Sequence, residues 1–536
     1  MNLDMLEIQH FSPIAVMLGR KRRFWARLDL WAGDDRAGFA LLLAIIVAHV
    51  LLWSLILTIL KAGQDIHFDV AEAYAWGQKF LLGYGKHPPL SGWIAGLWFA
   101  VFPATDWSTY ALAMATVGCG LLVCFFIALH VVDRRRALFV VVMLSLYPIF
   151  NFKGFKYNPD LLQICTLPLV VLAYLSAFEK RSAMSGIWLG LAAAAALMTK
   201  YWALTMIGAV GLVALIHPQR STFLSSPAPW VAMSVVTFAM LPHLWWLQHV
   251  DFLPLLYARD SYSSANSAKA LELAFEYINH NLALLFVPVI LALIALMGRR
   301  YYWPPLARGV SLEPASAELS SAMQTSQRLN VWIIQLVVAI GPPLGALSFT
   351  VNIKTDWGIP MFFLVPLALV ALPGLPMKKS ALGNIVVIWL SLTLATLAAS
   401  PLIATRTMNV FSTHSFKSEL ARQLTEHWRT RFGTPWAVVA GTTEIAAPMT
   451  FYSTDHPSPF TPGEVWSSGL SSLDEARLHG FVGICDTTDY RLPTCESWMA
   501  ANASDAERLT ISTRRVFAKT AGPLVNWNVY IVPPKR

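Results

Sequence analysis

Residues 39–60 read FALLLAIIVAHVLLWSLILTIL, a run of about twenty residues without a single Asp, Glu, Lys or Arg. At about 1.5 Å per residue, a helix of that length matches a hydrocarbon core of about 30 Å. A helix lining a soluble core would carry a polar stripe on its outer face, and this one carries none. Residues 382–403, LGNIVVIWLSLTLATLAASPLI, repeat the pattern near the other end of the bundle. Between and around these runs the chain of 536 residues is 56% hydrophobic and only 13% charged, with a mean hydropathy of +0.52. Soluble domains carry about 25% charged residues, so this chain cannot clothe a water-facing surface along its whole length. It is expected to be an all-α polytopic membrane protein.

The formal charge of +9 does not point to nucleic acid. The cations sit in short clusters between apolar blocks: Arg20-Lys21-Arg22-Arg23, Arg134-Arg135-Arg136, Lys180-Arg181, Arg299-Arg300 and Lys378-Lys379. That is the distribution of cytoplasmic loops under the positive-inside rule. Walking outward from the first run, the clusters set the direction of each crossing. Residues 1–37 form a cytoplasmic tail, with Phe11–Leu18 lying on the membrane. Crossings are expected at about 38–60, 108–130, 138–152, 161–178, 185–199, 201–216, 229–247, 282–298, 330–350, 358–373 and 382–403, about eleven in all. External loops cover 61–107 and 248–281. Trp93–Phe102, apolar but too short to span, is expected to lie in the interface within the first loop. The segment 299–329 is an inside loop. On this reading residues 38–403 form the membrane domain, and the C-terminus lies outside.

From residue 404 to 536 the composition turns to mixed charges, Pro and Gly. Strand-like runs occur at Trp436–Ala440, Phe481–Ile484 and Val529–Val532, with an amphipathic helix near Phe416–Arg431. A small periplasmic α+β domain is expected. It contains Cys485 and Cys495, whereas Cys119, Cys124 and Cys165 fall in apolar blocks. In an oxidising periplasm the first pair can close a disulfide; two free thiols is the other reading.

The external loops hold the chemistry. The first reads His67-Phe-Asp69-Val-Ala-Glu72-Ala-Tyr74-Ala-Trp76, then Gly83-Tyr84-Gly-Lys86-His87-Pro88-Pro89-Leu90. If 69–81 is helical, Asp69 and Glu72 share one face, so both carboxylates can serve one spot. Asp69 could equally cap that helix, with Glu72 at the capping-box position. Position favours function, because carboxylates at the mouth of a membrane bundle are costly and usually functional. Pro88 and Pro89 fix an extended turn that would hold Lys86 and His87 at headgroup level, suited to a phosphate; a snorkelling lysine is the plainer alternative. Asp160 follows Asn158-Pro159 as an external carboxylate or a helix cap. Lys200-Tyr201 interrupts an apolar stretch at an outer turn, and Lys354-Thr-Asp356-Trp357 lies at another outer end. His243, Trp245 and Trp246 read as an aromatic belt. No HExxH, Walker loop, GxSxG or Cys/His metal spacing occurs, so zinc, ATPase and serine-hydrolase readings lack support.

Asp69-x-x-Glu72-Ala-Tyr74-x-Trp76, followed by Gly83-Tyr84-x-Lys86-His87-Pro-Pro-Leu-x-x-Trp93, resembles the first external loop of glycosyltransferase family 39/83 membrane proteins. These include protein O-mannosyltransferases and the aminoarabinose and galacturonic acid transferases of lipid A. Asn158-Pro-Asp160, Lys200-Tyr201, Lys354-x-x-Trp357 and the stretch Phe451-Tyr452-Ser453 with His456-Pro457-Ser458 resemble further elements of that family. The resemblance implies a GT-C fold and a polyprenyl-phosphate sugar donor used on the periplasmic face of a bacterial inner membrane. It also implies inversion at the anomeric carbon and an envelope acceptor: lipid A, another glycolipid, a polysaccharide or a protein. Asp69, Glu72 and Asp160 are then candidate catalytic carboxylates, and Lys86, His87, Lys200, Tyr201 and Lys354 candidate phosphate ligands. Tyr74, Tyr84 and Trp357 would line the substrate. Relatives often show adjacent Asp-Glu, whereas Val70 and Ala71 intervene here, so the choice of base stays open. No cofactor is required, and no metal is demanded where lysines can neutralise the phosphate. The rival class is a lipid or lipid-linked-sugar flippase without transfer chemistry. It would place charges deep in broken helices of inverted repeats, and neither pattern is evident.

Overall fold

The computed structural model describes residues 31–264, 266–297, 317–378, 380–406, 417–464, 469–518 and 520–535. The cluster at 20–23, the segment 11–18, Arg299-Arg300 and Lys379 lie outside the described residues. Among the described residues, seven helices are long and apolar enough to cross a bilayer: Asp35–Leu60, Asp106–Leu129, Pro159–Lys180, Pro227–His249, Ser267–Met297, Ala317–Phe349 and Ala381–Arg406. Shorter apolar helices span Leu90–Phe99, Ala183–Thr199 and Leu204–Ile216.

Two expected crossings are not single helices. Residues 134–155 form helix Arg134–Ser145 and a second helical piece over Pro148–Phe155, bent by 82°. Pro148 has no N–H to continue the ladder, and the carbonyls freed at the bend are recaptured locally. Asn151 Nδ2 donates to Ser145 O and Tyr147 O, each at 3.1 Å. His49 Nε2 donates to Phe150 O at 2.6 Å while its Nδ1 accepts from Trp389 Nε1. The expected helix at 358–373 is replaced by a 3-10 segment, Thr355–Met361, and a short helix, Val365–Val370. Gly358, Pro360 and Pro366 disfavour a continuous α-helix there. Irregular backbone at membrane depth survives only where protein encloses it. Residues 357–364 are all buried. Asn281 Nδ2 donates to Thr355 O, Trp202 Nε1 to Trp357 O and Tyr147 hydroxyl to Ile359 O.

Polar side chains tie one set of helix ends together. Arg134 bonds the backbone and carboxylate of Asp35, Arg328 donates to Val131 O, His217 reaches Ser326, and Arg181 donates to Gln219. Helix Ala183–Thr199 leaves this basic end and stops at Lys200, whose extended backbone (φ −162°, ψ 139°) breaks it. Helix Leu204–Ile216 then returns to the basic end at His217. These short segments are therefore an antiparallel pair rather than one kinked helix.

The C-terminal domain is built on a five-stranded mixed sheet of order β2-β1-β3-β7-β4. The strands are β1 Val438–Ala440, β2 Ser458–Phe460, β3 Phe481–Asp486, β4 Glu507–Thr513 and β7 Val525–Val532; β5 (Val516–Phe517) and β6 (Thr520–Ala521) make a separate ribbon. β1 is parallel to β2 and β3, and β7 runs antiparallel to β3 and β4. The period of two splits β3 cleanly. Val482 and Ile484 pack with helices Lys417–Phe432 and Thr443–Tyr452, while Phe481 and Cys485 pack with Leu473–His479 and Leu492–Asn502. Cys485 and Cys495 form a disulfide, with Cα atoms 5.8 Å apart.

This domain docks on the first loop. Helix Thr443–Tyr452 packs across helix Phe68–Gly77, burying Ile66, Val70, Tyr74, Ala447 and Phe451 together. The Tyr452 hydroxyl accepts from Ile66 N at 2.8 Å and donates to Asp106 Oδ1 at 3.1 Å. Asp65 accepts from Lys417 N at 2.8 Å and Ser418 Oγ at 2.7 Å, and pairs with Arg515. Helix Phe68–Gly77 crosses Leu90–Phe99 backbone to backbone. A Cβ on Gly77 would sit 2.4 Å from Gly96 N, so glycine is required at that crossing.

Candidate active site

Opposite the basic end, the outer loops enclose a polar cavity of about 510 Å³. Its floor begins at helix Phe68–Gly77. The N-cap is His67, whose Nδ1 accepts from Asp69 N at 3.1 Å, so the Asp69–Glu72 capping box does not form and the helix ends at Gly77. The shorter cap leaves both carboxylates facing the cavity. Asn158 caps helix Pro159–Lys180 through Oδ1 and donates from Nδ2 to Asp69 Oδ2 at 2.9 Å, so one residue orients both. Lys156 Nζ lies 3.5 Å from the same Asp69 oxygen. Lys86 Nζ donates to Glu72 Oε1 at 2.8 Å, and Lys200 Nζ to Asp160 Oδ1 at 2.5 Å. Trp357 lies between two cations, with Lys200 Nζ 5.3 Å and Lys354 Nζ 5.5 Å from its ring centre.

Charge states follow from burial and pairing. Burial works to raise the Asp69 pKa, but His67, Lys156 and the Asn158 amide outweigh it and hold the carboxyl below its ordinary range. Burial pushes Glu72 above that range despite Lys86. Burial also opposes the Lys86 charge, yet Glu72 more than compensates and raises its pKa. Desolvation at half-buried His87, together with the nearby Lys200, Lys86 and Lys354, drives its pKa well down, so it is neutral. The cavity therefore holds an ionised Asp69 beside several ammonium groups.

Asp69, Glu72, Asp160, Lys86, His87, Lys200, Tyr201, Lys354 and Trp357 all line this one cavity, although they come from four separated segments. Tyr74 and Tyr84 do not. Tyr74 packs edge-on against Phe99 and Phe451 with its hydroxyl 3.1 Å from His456 Nδ1, a domain contact. Tyr84 stacks on Trp76 and donates to Trp76 O and Lys79 O, which folds the loop rather than facing the cavity. His243 is more than an aromatic belt: its ring contacts Tyr201 hydroxyl at 2.9 Å and Leu82 O at 2.7 Å. Lys156, Tyr257, Tyr262 and Asp356 also line the cavity, as do Glu444, Glu464 and Arg491 from the C-terminal domain. Lys156 could have been found from its spacing to Asn158. The last three carry no local signal, because only the docked domain brings them there.

The protein is a helical bundle with a one-ended cavity of paired carboxylates and lysines, covered by a small sheet domain. The sequence model of the dolichyl-phosphate-mannose-protein mannosyltransferase family matches residues 86–246. The lipid A galacturonosyltransferase RgtD of Rhizobium johnstonii is 22% identical over 218 residues, which cover 38% of this chain and 43% of that protein's length. The chain thus matches less than half of that relative. The crystal structure of ArnT from Cupriavidus metallidurans bound to undecaprenyl phosphate has the same fold, with a TM-score of 0.58 at 11% identity, covering 93% of this chain and 98% of that one. The apo structure of the same protein gives 0.57 at 11% identity, covering 91% and 97%. The chain is thus similar in part of its sequence to two kinds of membrane glycosyltransferase and shares the fold of a third solved protein.

Proposed function

We propose that this protein transfers a sugar from a polyprenyl-phosphate-linked donor to an envelope acceptor on the periplasmic face of the bacterial inner membrane. One observation carries the reading. The polar cavity shares Trp202 and Tyr262 with an apolar groove of about 440 Å³ between helices Leu204–Ile216 and Ala317–Phe349. Space remains open beside Gly208, Gly341 and Gly345 along this groove. A ligand with a charged head and a long apolar tail fits that junction, and a soluble sugar nucleotide would leave the groove unused.

Within this reading Asp69 takes the proton of the acceptor hydroxyl. The acceptor oxygen forms its bond to the anomeric carbon as the bond from that carbon to the phosphate oxygen breaks. The electron pair leaves with the polyprenyl phosphate, and attack from the opposite face inverts the centre. Glu72 is less available as base because Lys86 holds it. Asp160 orients Lys200, and Lys86, Lys200, His87 and Tyr201 surround the leaving phosphate with donors. Among the described residues, Lys354 is exposed and no carboxylate lies within 4.0 Å of its ammonium, so it is the most available cation. In purified protein, Lys354→Ala is expected to raise the apparent KM for an undecaprenyl-phosphate-linked sugar about tenfold or more, as expected for a lost charged hydrogen bond. The acceptor KM should not move. A change confined to the acceptor would reassign this lysine to an anionic acceptor.

The sidedness rests on the basic end described above and on the richer Lys and Arg content of the segments assigned to it. On this reading residues 1–37 lie in the cytoplasm and the domain from 404 to 536 in the periplasm, separated by about eleven crossings, some of them short or broken. Ser267→Cys and Ser512→Cys, both at exposed positions, are expected to react with a membrane-impermeant maleimide in intact spheroplasts. Labelling of both only after lysis would invert the orientation.

A further inference from the structure

We infer that Glu444 of the C-terminal domain is a specificity-determining residue of this cavity, accepting hydrogen bonds from the hydroxyl or amino groups of a bound sugar. The inference rests on the transfer reading above and deepens it. Glu444 lies in the first turn of helix Thr443–Tyr452, whose far end, at Phe451 and Tyr452, docks on the first loop. The same helix thus fixes the domain and carries a carboxylate over the lysines and carboxylates of the floor.

Its aim is set by Arg491. The guanidinium donates to Glu444 Oε2 at 3.2 Å, to Glu464 Oε1 at 3.1 Å and to Asp489 Oδ2 at 2.7 Å. Glu464 is in turn held by the Thr443 hydroxyl and N–H, one residue from Glu444. Arg491 begins helix Leu492–Asn502, and the Cys485–Cys495 disulfide ties that helix to the end of β3, closing the loop that carries Asp489 and Arg491. Hydrogen bonds and the disulfide thus brace the roof where it lines the cavity.

The chemistry of the roof follows from its charge. Three carboxylates share one guanidinium, so the charge of Arg491 is more than balanced and the roof is net acidic. The floor differs, because it presents the lysines. A donor would therefore lie with its phosphate toward Lys354, Lys200 and Lys86 and its sugar toward Glu444. Glu444 and Glu464 line the same cavity as Glu72 and Lys86, so roof and floor face one space. A carboxylate accepts from hydroxyl or ammonium groups and repels a second anion, so the group against Glu444 is a neutral or amine-bearing sugar ring. It belongs either to the donor or to a glycolipid acceptor, and the two are separable by kinetics.

The test uses the full chain in detergent or nanodiscs, a panel of undecaprenyl-phosphate-linked neutral, amino and uronic sugars, and an envelope glycolipid extract as acceptor. Glu444→Gln keeps the shape and removes the charge. It is expected to raise KM about tenfold for one substrate with little change in kcat, and to leave the affinity for sugar-free undecaprenyl phosphate unaltered. A shift in the donor KM places the donor sugar at the roof; a shift in the acceptor KM places the acceptor there. Glu444→Asp, which retains the charge, should fall between the two. Wild-type turnover with both KM values unchanged in the Gln and Asp variants overturns the inference alone. A wild-type chain that transfers nothing from any donor overturns the transfer reading and this inference with it.

Discussion

Asp69→Asn is expected to lower transfer turnover by about 10²–10⁴-fold, the usual worth of a positioned general base. The substitution isolates the proton-accepting role, because the geometry around it can persist. Asn158 Nδ2 and Lys156 both approach the same Asp69 oxygen, at 2.9 and 3.5 Å, and an amide carbonyl can accept from each in its place. The N-cap is supplied by His67 and does not depend on the carboxylate. Expression, thermal stability and binding of undecaprenyl phosphate should therefore stay near wild type while the chemical step fails. The pH dependence has a defined sign. The pKa of Asp69 is held below the ordinary carboxylate range, so the base is ionised above that value and activity is lost only as pH falls through it. Glu72, lifted by burial, would give an acid limb at higher pH if it were the base. Single-turnover rates of wild type and the Asn variant across pH distinguish the two. Near-normal turnover in the Asn variant would move the proton to Glu72 or Asp160.

The parts of this molecule that were legible in the sequence are those written in contiguous residues. The apolar runs at 39–60 and 382–403 identified spanning helices because a bilayer reads length and apolarity, both local properties. The loop of residues 69–93 was legible for a different reason: costly ionisable groups sit beside Gly and Pro that fix the backbone. Residues 355–370 misled because hydropathy cannot distinguish a helix from an irregular segment buried by its neighbours. Gly358, Pro360 and Pro366 were the available signal, and the side chains that capture the freed carbonyls, Tyr147, Trp202 and Asn281, lie far away in sequence. Asp69 looked like a cap because Asp is a common one, but His67 two residues earlier takes that role. Tyr74 was expected to line the substrate alongside Asp69 and Glu72, but one helical face serves the cavity and another serves the domain interface. The roof residues Glu444, Glu464 and Arg491 were invisible for the same physical reason. Their meeting with the floor exists only where the C-terminal domain packs on the first loop, and no periodicity encodes that contact.

That docking depends heavily on one carboxylate, and Asp65→Ala is expected to weaken it by about 3–5 kcal/mol, the range for breaking a buried ion pair. The Asp65 side chain is only 1% exposed. It accepts from Lys417 N and from the N–H and hydroxyl of Ser418, and it pairs with Arg515. Arg515 also donates to Ala62 O and Gln64 O, so the backbone after the first helix is stitched to the ribbon at β5 and β6. Removing the carboxylate strands the Arg515 charge in the interface. It also strips the nearest compensating charge from buried Lys417, whose pKa burial already pushes down. Hydrogen exchange should accelerate in helix Thr443–Tyr452 and in helix Phe68–Gly77, while the sheet core around Trp428, Trp436 and Trp527 stays protected. Transfer should fall with it, because the same motion lifts Glu444 away from the cavity. Combining Asp65→Ala with Arg515→Met should recover part of the lost stability, since an uncharged pair avoids a buried unpaired cation. Unchanged exchange in both helices, with full transfer, would show that the apolar contacts of Phe451 and Tyr74 hold the domain without Asp65.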